Sequence, residues 1–307
     1  MVLAEALLRV PDAKTQDRLI EDKIGAGDWV SREGGEDRML TAASAWALGI
    51  SARIIRPGET PTGVLSSLVK RVGAPAVRTA TRQAMRFLGR HFVLGENIED
   101  ALERARGLEK KGYRHSYDML GEGARTQADA DRYFKSYADA IEAIGRKAGN
   151  KALPDRPGIS VKLSALHPRY QSVKHERVMA ELVPKLADLA MRAKSFQLNF
   201  TVDAEEADRL ELSLDVIDAV VRSADFSGWD GFGLAIQAYQ KRTLAVIDHI
   251  DALAAEAGIR MMVRLVKGAY WDTEIKHAQE KGVDGYPVYT RKPATPFSCA
   301  CLISVSQ

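Results

Sequence analysis

The sequence predicts an α/β protein: a parallel (β/α)8 barrel of the TIM type, incomplete here at about five strands, preceded by an all-helical N-terminal region. Three observations predict it. Roughly the first 110 residues carry apolar side chains at helical spacing. After Gly112 the texture changes to short β-rich apolar runs alternating with longer helical patterns, the layout of a parallel sheet built from βαβ units. Four consecutive runs then end in a polar residue able to do chemistry: Lys162, Asp203, Gln237, and the pair Arg264 and Lys267. In (β/α) barrels, catalytic groups sit at the C-terminal ends of successive strands.

The elements follow in order. Leu3, Ala6 and Leu7, then Leu19, Ile20 and Ile24, recur at helical spacing on either side of Pro11. Further helices are predicted over residues 39–55, 61–72 and 77–92, punctuated by Pro57, Gly58 and Pro61. A last helix over residues 98–111 stops at Gly112, a residue suited to a left-handed cap. This gives a helical region over residues 1–111 and a barrel region over residues 112–292. Strands are predicted over residues 113–120, 158–164, 197–203, 231–237 and 258–267. Helices are expected between them over residues 127–145 and 173–194, from about residue 204, and over residues 243–257. No G-x-G-x-x-G marks a first strand–helix junction, which argues against a dinucleotide-binding Rossmann fold. A closed barrel needs eight strands. The expectation is therefore an open fragment, with the fifth outer helix due to begin near the chain's end. Pro293 and Pro296 disfavour a helix there, and residues 293–307 read as an aberrant or truncated tail.

Composition narrows the function classes. The chain has 307 residues, enough for one large domain or two smaller ones, with 46% hydrophobic and 28% charged residues. A formal charge of +3, without a long basic run, gives no footprint for nucleic acid, and none is expected to bind this chain. Both cysteines, Cys299 and Cys301, lie at the extreme C-terminus, which excludes a disulfide framework and fits a reducing cytoplasm. The most apolar stretch, residues 40–55, contains Arg53 and is too short to span a bilayer. Met1 to Pro11 lacks the layout of a signal peptide. The six histidines are scattered, with no i, i+4 pairing or cysteine companions, so no metal site is expected. Asn199-Phe200-Thr201 matches a glycosylation pattern but falls inside a predicted buried strand, and reads as chance.

The richest segment is Arg264-Leu265-Val266-Lys267-Gly268-Ala269-Tyr270-Trp271-Asp272. It puts two cations, a glycine and two aromatics behind the apolar run of residues 259–263, and suits a planar anionic ligand better than a core. Together with Asp203-Ala204-Glu205-Glu206-Ala207-Asp208-Arg209-Leu210-Glu211, Ile236-Gln237-Ala238-Tyr239-Gln240-Lys241-Arg242 and Lys162-Leu163-Ser164-Ala165-Leu166-His167-Pro168-Arg169-Tyr170, it resembles the proline dehydrogenase domain of bacterial proline utilization A. The resemblance runs from about Leu3 to Lys292. It implies FAD-dependent oxidation of L-proline to 1-pyrroline-5-carboxylate, on a polypeptide that also carries an aldehyde dehydrogenase. It further implies a membrane quinone as electron acceptor, contacted from the cytoplasmic face, and admits a homodimer of the full-length protein.

The resemblance also assigns residues. Those matching Asp203, Gln237, Arg264, Val266, Lys267, Gly268, Ala269, Trp271, Thr290 and Lys292 lie around FAD. Lys162 matches a lysine that meets the proline carboxylate, and Tyr270 a tyrosine packed over the pyrrolidine. Leu265 is expected to help shape that pocket, and Glu122 matches a carboxylate that gates it through an arginine absent from this chain. Read from residues alone, each has a plainer alternative. Arg264 and Lys267 suit a solvated strand end, and Lys162 a snorkelling surface lysine. Tyr270 suits a core aromatic. Asp203 suits an N-cap for a helix starting at Ala204, with Glu205 and Glu206 in its first turn.

Two other readings stand beside the flavoenzyme. One is a barrel aldolase or lyase using Lys162 or Lys267 as a Schiff base. The other is a non-catalytic scaffold. The chain by itself is expected to bind flavin weakly, because a fifth strand with an unpaired edge leaves the site open.

Overall fold

The computed structural model describes residues 93–119 and 123–291. The compact unit that contains the sheet runs from Asn97. Its first helix, α1 (Ile98–Glu109), starts where the Asn97 side chain accepts the Asp100 N–H at 2.8 Å. Buried Ala101, Leu102 and Ala105 form its inner stripe, packed towards the next helix. Helix α1 thus belongs to the same compact unit as the sheet.

Strand β1 (Ser116–Asp118) is short, and Tyr113, expected within it, is exposed. Helix α2 (Gln127–Lys147) opens on a reciprocal capping box between Thr126 and Asp129 and buries Tyr137, Ile141 and Ile144. Strand β2 (Gly158–Val161) stops before residue 164, because Lys162 turns the chain into a one-turn helix, α3 (Leu163–Leu166). Helix α4 (His175–Ser195) follows a 3-10 turn over Ser172–Lys174 and carries Pro184 within it. Strand β3 (Asn199–Val202) leads not to a helix at residue 204 but to a 3-10 turn, Ala207–Arg209, and then α5 (Leu210–Ser223). Strand β4 (Phe232–Gln237) precedes α6 (Thr243–Ala257), which ends on Gly258 at φ 64°. That left-handed cap needs a glycine. It also explains why β5 (Met262–Val266) starts later than residue 258. A helix then does follow the fifth strand: α7 (Trp271–Lys281) lies before the prolines rather than beyond them.

The five strands lie in sequential order and all pair in parallel. Side chains alternate between the two faces of such a sheet. One face carries Ile159, Phe200 and Phe232 in register, buried with Leu186, Leu189, Val216 and Ile217 of α4 and α5. The other carries Ser160, Thr201 and Gly233 in register, then Ala235 beside Arg264. Arg264 on β5 reaches the Ser160 hydroxyl on β2 at 2.9 Å, across two intervening strands. The sheet therefore curls around its small, polar face, as part of a barrel does. Asn199 is buried within β3, which removes the glycosylation pattern from solvent.

Aromatic residues fill the N-terminal end of the sheet. Phe226 stacks on Phe232 with centroids 4.7 Å apart, and Trp229 meets Phe226 edge-on at 5.4 Å. The Trp229 indole N–H donates to the Leu198 carbonyl at 2.9 Å. Among the described residues no helix is long and apolar enough to cross a membrane.

Candidate active site

The opposite ends of the same strands carry charge. Lys162, at the turn from β2 into α3, donates through Nζ to Asp118 at the end of β1 (2.7 Å) and to Asp203 just after β3 (2.9 Å). The second oxygen of Asp203 is held by the Arg264 guanidinium, which also donates to Ser160. Ser160 in turn bonds the Ser116 hydroxyl at 2.9 Å. Asp118, Lys162, Asp203 and Arg264 thus alternate in sign across four strands. Asp203 is the joint of this network, not a helix cap, and Lys162 is not a surface lysine: their side chains are 12% and 14% exposed.

Burial works against the Lys162 ammonium, yet the Asp203 charge and the hydrogen bonds to Asp118 and Asp203 outweigh it and raise its pKa. Burial pushes the Asp118 carboxyl up, against the pull of Lys162. The Lys162 backbone N–H is anchored on the buried Tyr137 hydroxyl at 3.3 Å, and burial raises the pKa of that phenol.

A second group assembles at β4 and β5. The Gln237 side chain spans them, donating to the Glu205 carbonyl at 2.8 Å and accepting the Ala269 N–H at 3.3 Å. Carbonyls of Val266 and Lys267 accept the N–H groups of Ala238 and Tyr239 at 2.8 and 3.0 Å, and the Lys267 side chain is exposed. Gly268 has φ 125°, and a Cβ there would run into the Tyr239 ring. Both facts demand glycine. Tyr270 donates its N–H to the Tyr239 hydroxyl at 3.3 Å. Trp271, 42% exposed, donates its indole N–H to the Tyr289 carbonyl at 2.8 Å. That bond, with the Tyr289 N–H on the Tyr239 carbonyl at 2.8 Å, brings the segment bearing exposed Thr290 beside the β4 loop.

Arg264 lies within β5 rather than beyond its end, and strand alternation puts Leu265, in register with Ile236, on the opposite face from Arg264. Glu122 and Lys292 fall outside the described residues. Sequence reasoning missed Asp118 and Tyr239. It also put Glu205 and Glu206 in a helix's first turn, whereas both precede the 3-10 turn and Glu205 is turned into the protein, its side chain 6% exposed. Asp118 ends the first strand as Lys162 and Asp203 follow theirs, so the strand-end rule itself could have found it. Among the described residues no group of three or more His, Cys, Asp or Glu could hold a metal ion.

Comparison with known proteins decides the family. A family model described as proline dehydrogenase matches residues 101–301. This chain belongs to the proline dehydrogenase family. Within that family it is 48% identical over 300 residues to the bifunctional protein PutA of Salmonella typhimurium, covering 97% of this chain and 23% of the relative. A crystal structure of a point mutant of Bradyrhizobium japonicum Proline Utilization A (PutA) is 63% identical with a TM-score of 0.68, covering 99% of this chain and 30% of that one. Proline dehydrogenase of Deinococcus radiodurans is 29% identical over 196 residues, covering 64% of this chain and 57% of that protein. The chain thus spans about a quarter of the length of its bifunctional relatives.

Two expectations are corrected here. A second family model, described as the DNA-binding domain of proline dehydrogenase, matches residues 1–92, where no segment of nucleic-acid class was expected. The proline dehydrogenase match also continues to residue 301, past the Lys292 at which the resemblance was expected to stop.

Proposed function

We propose that the site serves the FAD-dependent oxidation of L-proline to 1-pyrroline-5-carboxylate, with electrons passing to a membrane quinone through peripheral contact. The observation that carries the reading is Asp203, shared at the strand ends by two cations of different reach, Lys162 and Arg264. An ammonium has three donor hydrogens. Two of those on Lys162 are taken by carboxylates, and the third is open to the carboxylate of proline. Arg264 is 39% exposed and keeps an edge of its guanidinium for an anionic, planar partner.

The donor set fits a flavin. Lys267 and the half-exposed Trp271 ring, on the segment after β5 that Gln237 holds through the Ala269 N–H, offer a cation and an aromatic group suited to a ring system with a pyrophosphate tail. FAD, when bound, supplies the two-electron acceptor for a substrate that loses two electrons and two protons as its C–N bond becomes C=N. The chain's own contribution is position and charge. Lys162 orients the substrate through its carboxylate, Tyr270 covers the ring, and Asp203 keeps both cations aimed inward. The 267–271 loop is shaped by Gly268 against Tyr239.

The Schiff-base reading is disfavoured on chemical grounds. A nucleophilic lysine must lose its proton, and Lys162 is held as an ammonium between two carboxylates. A scaffold without a ligand has no use for four buried or half-buried charges at one sheet end. The visible spectrum of the purified protein tests the proposal. A flavin band that bleaches when L-proline is added without oxygen is the expected result. Absence of flavin, together with borohydride trapping of a carbonyl compound on Lys162, would replace it with the aldolase reading.

A further inference from the structure

We infer that Glu205 is the positioning residue of this site: it fixes the backbone that carries Lys162 and, through Gln237, the loop after β5. The inference rests on the reading of Lys162 as the cation for the substrate carboxylate. Glu205 follows β3 by three residues, yet its side chain is 6% exposed and turned back into the protein. Its Oε1 accepts the Ser164 N–H at 2.9 Å, two residues beyond Lys162, and its Oε2 accepts Arg209 at 2.9 Å. The Glu205 carbonyl accepts the Gln237 amide at 2.8 Å, and Gln237 accepts the Ala269 N–H at 3.3 Å. Ser164 extends the set further. Its hydroxyl accepts the Gly123 N–H at 3.2 Å and its carbonyl the Ala124 N–H at 2.8 Å, both in the loop after β1. The loops following β1, β2, β3 and β5, and the end of β4, therefore connect through Glu205 and Ser164.

The carboxylate is there for its acceptor, not for stability. A buried ion is weak evidence of stabilisation, and apolar groups of similar volume often replace one without loss. Burial pushes the Glu205 pKa up, while Ser164 and Arg209 pull it down. What an apolar side chain cannot do is satisfy the Ser164 N–H, which lies in the first turn of α3 and has no partner within that helix. Without Glu205 the Ser164 N–H would lose its acceptor, and the turn bearing Lys162 would be left with the 3.3 Å bond from the Lys162 N–H to Tyr137 and the bonds that Ser164 accepts from Gly123 and Ala124. Glu206, next in sequence and 28% exposed, shares Arg209 at 3.0 Å but makes no bond to the α3 turn.

Glu205→Met, close in length and without an acceptor, and Glu205→Gln, which keeps one, separate positioning from mere structure in the complete chain. Amide hydrogen exchange needs neither flavin nor turnover. In Glu205→Met, exchange at Ser164 should quicken by at least about tenfold, and proline KM should rise roughly tenfold with flavin content retained and kcat changed less, the scale of one charge-assisted bond. Glu205→Gln should restore both Ser164 protection and KM. Adding Glu205→Met to a Lys162→Met background should raise KM no further, because Glu205 acts through Lys162. Unchanged Ser164 exchange in Glu205→Met, or faster exchange with an unchanged KM, would overturn the inference. So would a raised KM in Glu205→Gln with Ser164 still protected, a test that stands if Glu205→Met does not fold. If Lys162→Met alone leaves KM unchanged, the assignment of Lys162 fails first, and the exchange data still show whether Glu205 holds the turn.

Discussion

The two ends of one sheet use the same strands for opposite purposes. At the N-terminal end, Phe200, Phe226, Trp229 and Phe232 pack against one another, and the only polar atom of the Trp229 side chain is spent on the Leu198 carbonyl. At the C-terminal end, Asp118, Lys162, Asp203 and Arg264 gather charge that a stability argument would avoid. Functional barrels divide their ends in this way. The lesson is that the aromatic end holds the strands in register so that the charged end can keep four ionised groups in place.

Damage at the aromatic end should unfold the protein without retuning its site. Trp229→Ala removes a fully buried indole and should cost about 3–5 kcal/mol. Denaturant unfolding should show that loss, while the proline dependence of the molecules still folded stays the same. A change in KM without a change in stability would break the division.

At the other end, Gly268→Ala should spare most of the stability and strike the loop. The residue has φ 125°, and the new methyl would meet the Tyr239 ring. Strain of this kind costs about 1–3 kcal/mol. Flavin content on purification should fall more than the unfolding midpoint does. Equal losses in both would place Gly268 among the structural residues.

The smallest effect concerns pH and sharpens the structural side. His167 is buried, accepts the Arg169 N–H on Nδ1 at 3.1 Å and meets Glu181 through Nε2 at 3.1 Å. Burial lowers its pKa from the ordinary 6.5, and Glu181 only partly opposes that. Below about pH 6.5 the unfolded chain therefore binds a proton that the folded one resists, so stability should fall as pH drops through that range. His167→Gln should flatten this acid slope in urea midpoints taken between about pH 5 and 8, with no effect on the flavin site. An unchanged slope would show that other groups set it.

Much of this was legible in the sequence because strand ends announce themselves. Lys162, Asp203 and Gln237 close β-rich runs, and Arg264 lies in the richest segment of the chain. What stayed hidden depended on turns. The helix expected at residue 204 begins at Leu210, and those few residues of irregular chain let Glu205 turn inward instead of facing solvent in a first helical turn. Asp118 was passed over because its strand is only three residues long, too short for alternation to show. Helix α7 was missed because its inner stripe is thin, with Glu274 and Ala278 as its buried residues. Apolar periodicity cannot register a helix whose inward side chain is a carboxylate, here accepting the Ala207 N–H at 2.6 Å.

The central claim is that Lys162 and Arg264 share Asp203 yet serve different ligands, the substrate and the flavin. Flavin content and the proline concentration for half-maximal anaerobic flavin reduction, measured side by side in Lys162→Met and Arg264→Met, test it most directly. Each variant removes a charge-assisted contact worth about 1.5–3 kcal/mol, a change of roughly ten- to a hundredfold in the affected constant. The account predicts that Lys162→Met keeps its flavin and needs far more proline, while Arg264→Met loses flavin or reduces it slowly at saturating proline. Both variants shifting the same quantity, or neither shifting its own, would contradict it.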